Sequence, residues 1–150
     1  MKPVLILIFL LAACSGDNEL KPVDIHYGQD ICERCKMIIS EESFSSQLIS
    51  SQGEIYNFDD IGGMILYLSE NNINPESVKI FVKDFNTKKW LTSDNAFYIR
   101  TENIKTPMNY GIIAFSDKNS AGEIMSKYGG KNIGDFGDAV KWVRNTKNNL

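Results

Sequence analysis

The 150-residue chain predicts an α+β protein made of two small homologous ββαβ-like halves. Three observations carry that reading. Short β-prone runs come in pairs, and each pair is followed by apolar residues at helical spacing and then by a further strand. Phe58-Asp59-Asp60 returns as Phe115-Ser116-Asp117, 57 residues on. With 43% hydrophobic and 11% aromatic residues the chain has enough apolar surface for a core, which sets a disordered chain aside.

The elements follow in order. Met1-Lys2-Pro3 opens with one positive side chain, and Val4 to Ala13 is unbroken apolar sequence. A membrane-spanning helix needs about 20 such residues, so this run is the core of a secretory signal instead. Leu11-Ala12-Ala13-Cys14 supplies the small residues before a cysteine that bacterial lipoprotein processing recognises. Residues 1–13 are therefore expected to be removed, Cys14 to be lipidated, and 14–25, opening with Ser15-Gly16-Asp17-Asn18-Glu19, to be a flexible tether. The expected location is a periplasm-facing membrane. Ser15 rather than aspartate after the cysteine favours the outer one.

The first half, 26–87, contains Phe44–Ser50 and Glu54–Phe58 as strands around a Gln52-Gly53 turn. Asp59 or Asp60 then caps a helix whose apolar stripe is Ile61, Met64, Ile65 and Leu68, and which ends at Asn71-Asn72. A strand over 78–84 completes the unit. The second half, 88–150, repeats this with strands over 96–100 and 110–115, a helix begun by Ser116-Asp117, and a stripe of Ala121, Ile124, Met125 and Tyr128. The stripes match at an offset of 60, which implies a three-residue insertion at the second helix start. Gly129-Gly130 stops that helix, 133–136 is a return strand, 138–144 a closing helix and 145–150 a frayed tail.

The formal charge of -3 and the lack of a Lys/Arg cluster make nucleic acid an unsuitable partner. A lone histidine, His26, rules out a His-rich metal site, and as a solvated side chain it is a weak ligand candidate. Lipidation of Cys14 leaves Cys32 and Cys35, a Cys-x-x-Cys pair whose spacing fits a disulfide, a redox centre or a soft metal site. The neighbours point to metal. Thiolate and thioether sulfur favour Cu(I) over harder ions, and Cys35-Lys36-Met37 offers both. A structural zinc site needs four ligands, and the chain has neither a second Cys-x-x-Cys nor a His pair. Met108, in the polar Thr106-Pro107-Met108-Asn109-Tyr110-Gly111 segment, reads equally as a ligand and as a filler between the halves, whereas Met64 and Met125 belong to helix stripes. Asp59-Asp60 reads as helix capping rather than an acid–base pair, and Trp90 and Trp142 as packing residues.

The order of lipobox, Cys-x-x-Cys-x-Met-x-Ile, Phe-Asp-Asp before a helix, and Thr-Pro-Met followed by Ala114-Phe115 and Gly129-Gly130 resembles the NosL family, over Cys14 to about Phe136. The resemblance implies two homologous ββαβ halves akin to an organomercurial-lyase fold. It also implies a copper-binding lipoprotein, not an enzyme, that accompanies assembly of the copper centres of nitrous-oxide reductase. Its Cu(I) site would use the sulfurs of Cys35 and Met108, with room for a ligand from a copper-accepting maturation protein; Cys32 and Met37, from their own place in the motif, are read as secondary or alternative donors. Lys36 stands where the family usually has glycine. The rival reading is a membrane-anchored thiol-disulfide oxidoreductase using Cys32 and Cys35. Its pair should follow an apolar strand and open a helix, and His26-Tyr27-Gly28-Gln29-Asp30 is not apolar.

Overall fold

The computed structural model describes residues 20–147, so the signal segment, Cys14 and the first half of the tether lie outside the described residues. Strands β1 (Ser46–Ile49) and β2 (Ile55–Phe58) form the expected antiparallel hairpin, in register from Ser46↔Phe58 to Ile49↔Ile55. Gly53, at a φ of 85°, closes its turn with an N–H donated to the Ser50 carbonyl. Helix α1 (Ile61–Glu70) follows. Its Asp60 cap accepts from the N–H groups of Gly62 and Gly63 at 2.7 and 3.2 Å, and Ile61, Met64, Ile65 and Leu68 are all buried. Strand β3 (Lys79–Lys83) returns antiparallel on the other side of β1.

The second unit repeats the path with β5 (Phe97–Arg100), β6 (Ile112–Phe115), α2 (Lys118–Tyr128) and β7 (Lys131–Gly134). Its sheet order, β6-β5-β7, reproduces the β2-β1-β3 order of the first. The two ββαβ units therefore share one topology, and the fold is α+β as expected. The helix caps Asp60 and Asp117 lie 57 residues apart, as do the helix starts Ile61 and Lys118, so the expected three-residue insertion is absent. Ala121 is the buried counterpart of Met64, while Ile124 and Met125 are only half-buried.

Two further differences concern edges. Strand β4 (Trp90–Thr92) pairs with β3, which extends the first sheet to β2-β1-β3-β4. The division expected between residues 87 and 88 thus falls inside the β3–β4 hairpin. The closing helix α3 (Phe136–Lys147) absorbs much of the expected tail, and the Thr146 hydroxyl donates to the Trp142 carbonyl within it.

Side-chain alternation explains the layering. On β6, Ile112 and Ala114 face the main core with Tyr98, α1 and α3, while Ile113 and Phe115 face a second cluster with Ile99, Phe44 and Ala121 of α2. The second sheet is covered on both faces, and this is why Ile112-Ile113-Ala114-Phe115 is apolar without interruption. The main core also takes in Leu48, Phe58 and Val82 of the first sheet. Trp90 and Trp142 pack at its border, under Lys83 and Arg100 at 4.3 and 4.5 Å.

Candidate metal site

Residues 28–39 double back on themselves and carry the cysteines at the tip. The Gly28 N–H donates to the Ile39 carbonyl, the Ile39 N–H to the Asp30 carbonyl, and Ile31 bridges Ile38 antiparallel. The reversal is tight. The Cys32 N–H donates to the Met37 carbonyl at 2.8 Å and the Lys36 N–H to the Cys32 carbonyl at 2.9 Å, with Lys36 at a φ of 60°. This left-handed position is the reason a glycine suits the place between the second cysteine and Met37. The Glu33 N–H donates to the Asn57 carbonyl of β2, and the Arg34 guanidinium grips both carboxylate oxygens of Glu70 at 3.0 Å. The loop is thereby fastened to the first sheet and to the far end of α1.

Both sulfurs meet backbone donors. The Cys35 N–H points at Cys32 Sγ at 3.4 Å, and the Met37 N–H is directed at the Cys35 sulfur. Both described cysteines are free thiols, Cys32 buried at 1% exposure and Cys35 half-buried. Cys35 Sγ donates to Asp59 Oδ2 at 3.3 Å, and the two sulfurs and an Asp59 oxygen all lie within 4.8 Å of one another. Asp59 is 3% exposed, and its Oδ1 has no hydrogen-bond partner among the described residues. Burial, the Cys32 thiol and the Asp59 carboxylate push the Cys35 thiol up to about 12 against the opposing pull of the Met37 N–H.

The neighbouring carboxylate holds the second segment. Asp60 Oδ2 accepts from the Met108 N–H at 3.0 Å and from the Thr106 hydroxyl. Burial pushes the Asp60 carboxyl up, and these donors with the N–H groups of Gly62 and Gly63 pull against it. Close approach is possible because the first turn of α1 carries two glycines, Gly62 and Gly63. A Cβ on Gly62 would sit 2.4 Å from the Tyr110 side chain, and one on Gly63 would meet Met108 Cγ at 3.5 Å. Cys35 and Met108, 73 positions apart in sequence, are therefore brought to adjacent residues, Asp59 and Asp60, at the start of one helix.

Residues 22–141 match the model of the NosL family. The chain belongs to the NosL family. No curated protein gives a significant match. The crystal structure of the copper chaperone NosL from Shewanella denitrificans aligns with a TM-score of 0.64 over 74% of this chain and 90% of that one, at 20% sequence identity. The likeness extends to the fold.

In this NosL-family chain, Cys32 and Cys35 stand together with Asp59, and Met108 stands at the same helix start. Met37 is 51% exposed beside them and offers its backbone to both cysteines, while Cys14 lies outside the described residues. The His26 side chain is 72% exposed, with Nδ1 3.6 Å from Asp30 Oδ2. Asp59 was hidden in the sequence by its position before a helix, where an aspartate reads as a cap. The internal repeat holds the missing signal. Phe58 and Asp60 recur as Phe115 and Asp117, but Asp59 becomes Ser116, so capping does not need it.

Proposed function

We propose that this chain is a membrane-anchored, extracytoplasmic Cu(I)-binding protein, a copper chaperone delivering copper for nitrous-oxide reductase maturation. Cys35 and Met108 hold the ion, Cys32 and Met37 are secondary donors, and lipidated Cys14 ties the chain to the membrane on the periplasmic side. The observation that carries the reading is the convergence of a thiol segment and a thioether segment on Asp59 and Asp60. A two-sulfur site of this kind suits soft Cu(I) and leaves coordination open, so a copper-accepting partner can take the ion by ligand exchange. Family membership and the shared fold with a copper chaperone support it.

The oxidoreductase alternative gains no observation of its own. A dithiol catalyst needs an accessible thiolate, whereas Cys32 is buried and the Cys35 thiol is pushed up to about 12.

Competition titrations with a chromogenic Cu(I) chelator test the site on reduced wild type, Cys35→Ser, Met108→Ile and Cys32→Ser. Loss of either principal sulfur is expected to weaken binding by about tenfold or more. Unchanged affinity in both Cys35→Ser and Met108→Ile overturns the assignment.

A further inference from the structure

We propose that Cys32, Cys35 and Asp59 form a second, three-donor binding mode for a borderline divalent cation such as Zn(II), alternative to the Cu(I) mode and sharing Cys35 with it. The inference rests on the copper reading only in that the two modes compete for Cys35, and for Cys32 where it serves copper as a secondary donor.

The donor set differs in kind from a pair of sulfurs. Carboxylate oxygen is a poor ligand for Cu(I) and a common one for zinc, which takes mixed sulfur and oxygen ligands in tetrahedral geometry. Metal–ligand bonds of about 2.3 Å to sulfur and about 2.0 Å to oxygen give tetrahedral edges of about 3.8 Å between sulfurs and about 3.5 Å between sulfur and oxygen. The observed Cys35–Asp59 separation is 3.3 Å, and all three donor atoms lie within 4.8 Å of one another. Small rotations about the side-chain bonds are enough to seat an ion.

The second observation is the unpartnered oxygen. Asp59 Oδ1 is buried and accepts from nothing among the described residues, a costly state for a carboxylate unless a cation reaches it. Charge then separates the candidates. Two thiolates and a carboxylate bring three negative charges into a half-buried pocket. A divalent ion leaves one of these uncompensated and Cu(I) leaves two, and burying uncompensated charge is expensive. The two thiol protons leave to solvent as the ion enters. A backbone N–H is directed at each sulfur, Cys35 N–H at Cys32 Sγ and Met37 N–H at Cys35 Sγ, and stays placed to donate to it once the ion is bound.

From the sequence, zinc is set aside by counting Cys and His ligands, and that count contains no Asp59. With it the site has three protein donors and one open position, the arrangement of zinc sites that exchange a ligand rather than enclose the ion.

The test is Co(II) titration of the reduced full-length chain in detergent, followed by displacement with Zn(II). Wild type is expected to show the visible ligand-field bands of tetrahedral Co(II) together with thiolate charge-transfer bands, and to lose both on adding one equivalent of Zn(II). Asp59→Asn is expected to weaken Co(II) binding by about tenfold or more, and Met108→Ile to weaken Cu(I) binding while leaving Co(II) affinity unchanged. X-ray absorption at the zinc edge of the wild type, which depends on no variant folding, should read two sulfur and two oxygen neighbours. Absence of tetrahedral Co(II) bands, a zinc shell without oxygen, or equal Co(II) affinity in Asp59→Asn and wild type overturns the proposal. Loss of Cu(I) binding alone would overturn the copper reading and leave this one standing.

Discussion

At the scale of single residues, the site depends on what is missing from two side chains and on one strained backbone. Gly62 and Gly63 sit in the first turn of α1, where alanine is the better helix former by about 1 kcal/mol. They differ in what a methyl group would meet. At Gly63 it makes an ordinary contact with Met108 Cγ at 3.5 Å, but at Gly62 it lies 2.4 Å from both Cβ and Cγ of Tyr110. Gly63→Ala is therefore expected to be neutral or slightly stabilising. Gly62→Ala should displace the 106–110 segment, cost about 1–3 kcal/mol and weaken Cu(I) binding by about tenfold. Thermal melts and chelator competition on both variants check this, and equal effects at the two glycines would refute the close-approach argument. Lys36 shows the opposite compromise. An L residue at a φ of 60° costs about 1–2 kcal/mol, offset in part by the 2.9 Å ion pair with Glu33, which at the surface contributes about 0–1 kcal/mol.

At the scale of elements, one aspartate both starts α1 and fixes the segment from the other half. Asp60 uses Oδ1 for the cap and Oδ2 for the Met108 N–H and the Thr106 hydroxyl. Asp60→Ala removes both roles and is expected to cost about 2–4 kcal/mol. Asp60→Asn can keep the cap through its amide oxygen but turns an N–H₂ toward the Met108 N–H. It should lose less stability than alanine while losing comparable Cu(I) affinity, by unfolding and chelator titrations. Retention of full affinity in Asp60→Asn would show that the latch is dispensable. The cap was legible in the sequence because an aspartate before an apolar stripe has a local signature, and the hairpin was legible through its alternation around Gln52-Gly53. The latch and the Cys35–Asp59 contact were not, since their partners lie 48 and 24 residues away and no periodicity links them. Strand β4 escaped notice because Trp90-Leu91-Thr92 is too short to carry a pattern and follows Lys88-Lys89.

At the scale of the whole molecule, the two ββαβ units are joined where β3 ends. Asp84 bridges Ala114 in parallel, the Phe85 N–H donates to the Ala114 carbonyl at 2.8 Å, and the Phe85 ring lies between Phe44 and Phe115 at 5.9 and 5.8 Å. Asp84 itself is 1% exposed. Its Oδ2 accepts from the Ser116 N–H at 2.7 Å, just ahead of α2, while Oδ1 accepts from the N–H groups of Asn86 and Thr87 in the β3–β4 turn. One carboxylate thus ties the first sheet's hairpin to the second unit's helix start. Burial alone would push its carboxyl up, but the donors at Thr87 and Ser116 outweigh burial and hold it below the usual carboxylate range. Because the folded value lies below the unfolded value of about 3.9, the unfolded chain binds the proton more readily. The stabilisation is complete above that value and is lost as the pH falls through the folded one. Asp84→Asn is expected to cost about 1–3 kcal/mol at pH 7, since its N–H₂ cannot accept from one of the two segments. The gap between wild type and variant should narrow as the pH drops below about 4, when the wild-type carboxyl takes up its own proton. Urea unfolding of both chains from pH 7 to pH 3 measures the gap directly. A difference independent of pH would mean that the charge of Asp84 contributes nothing to the join, which would then rest on Phe85 and the strand bridge alone.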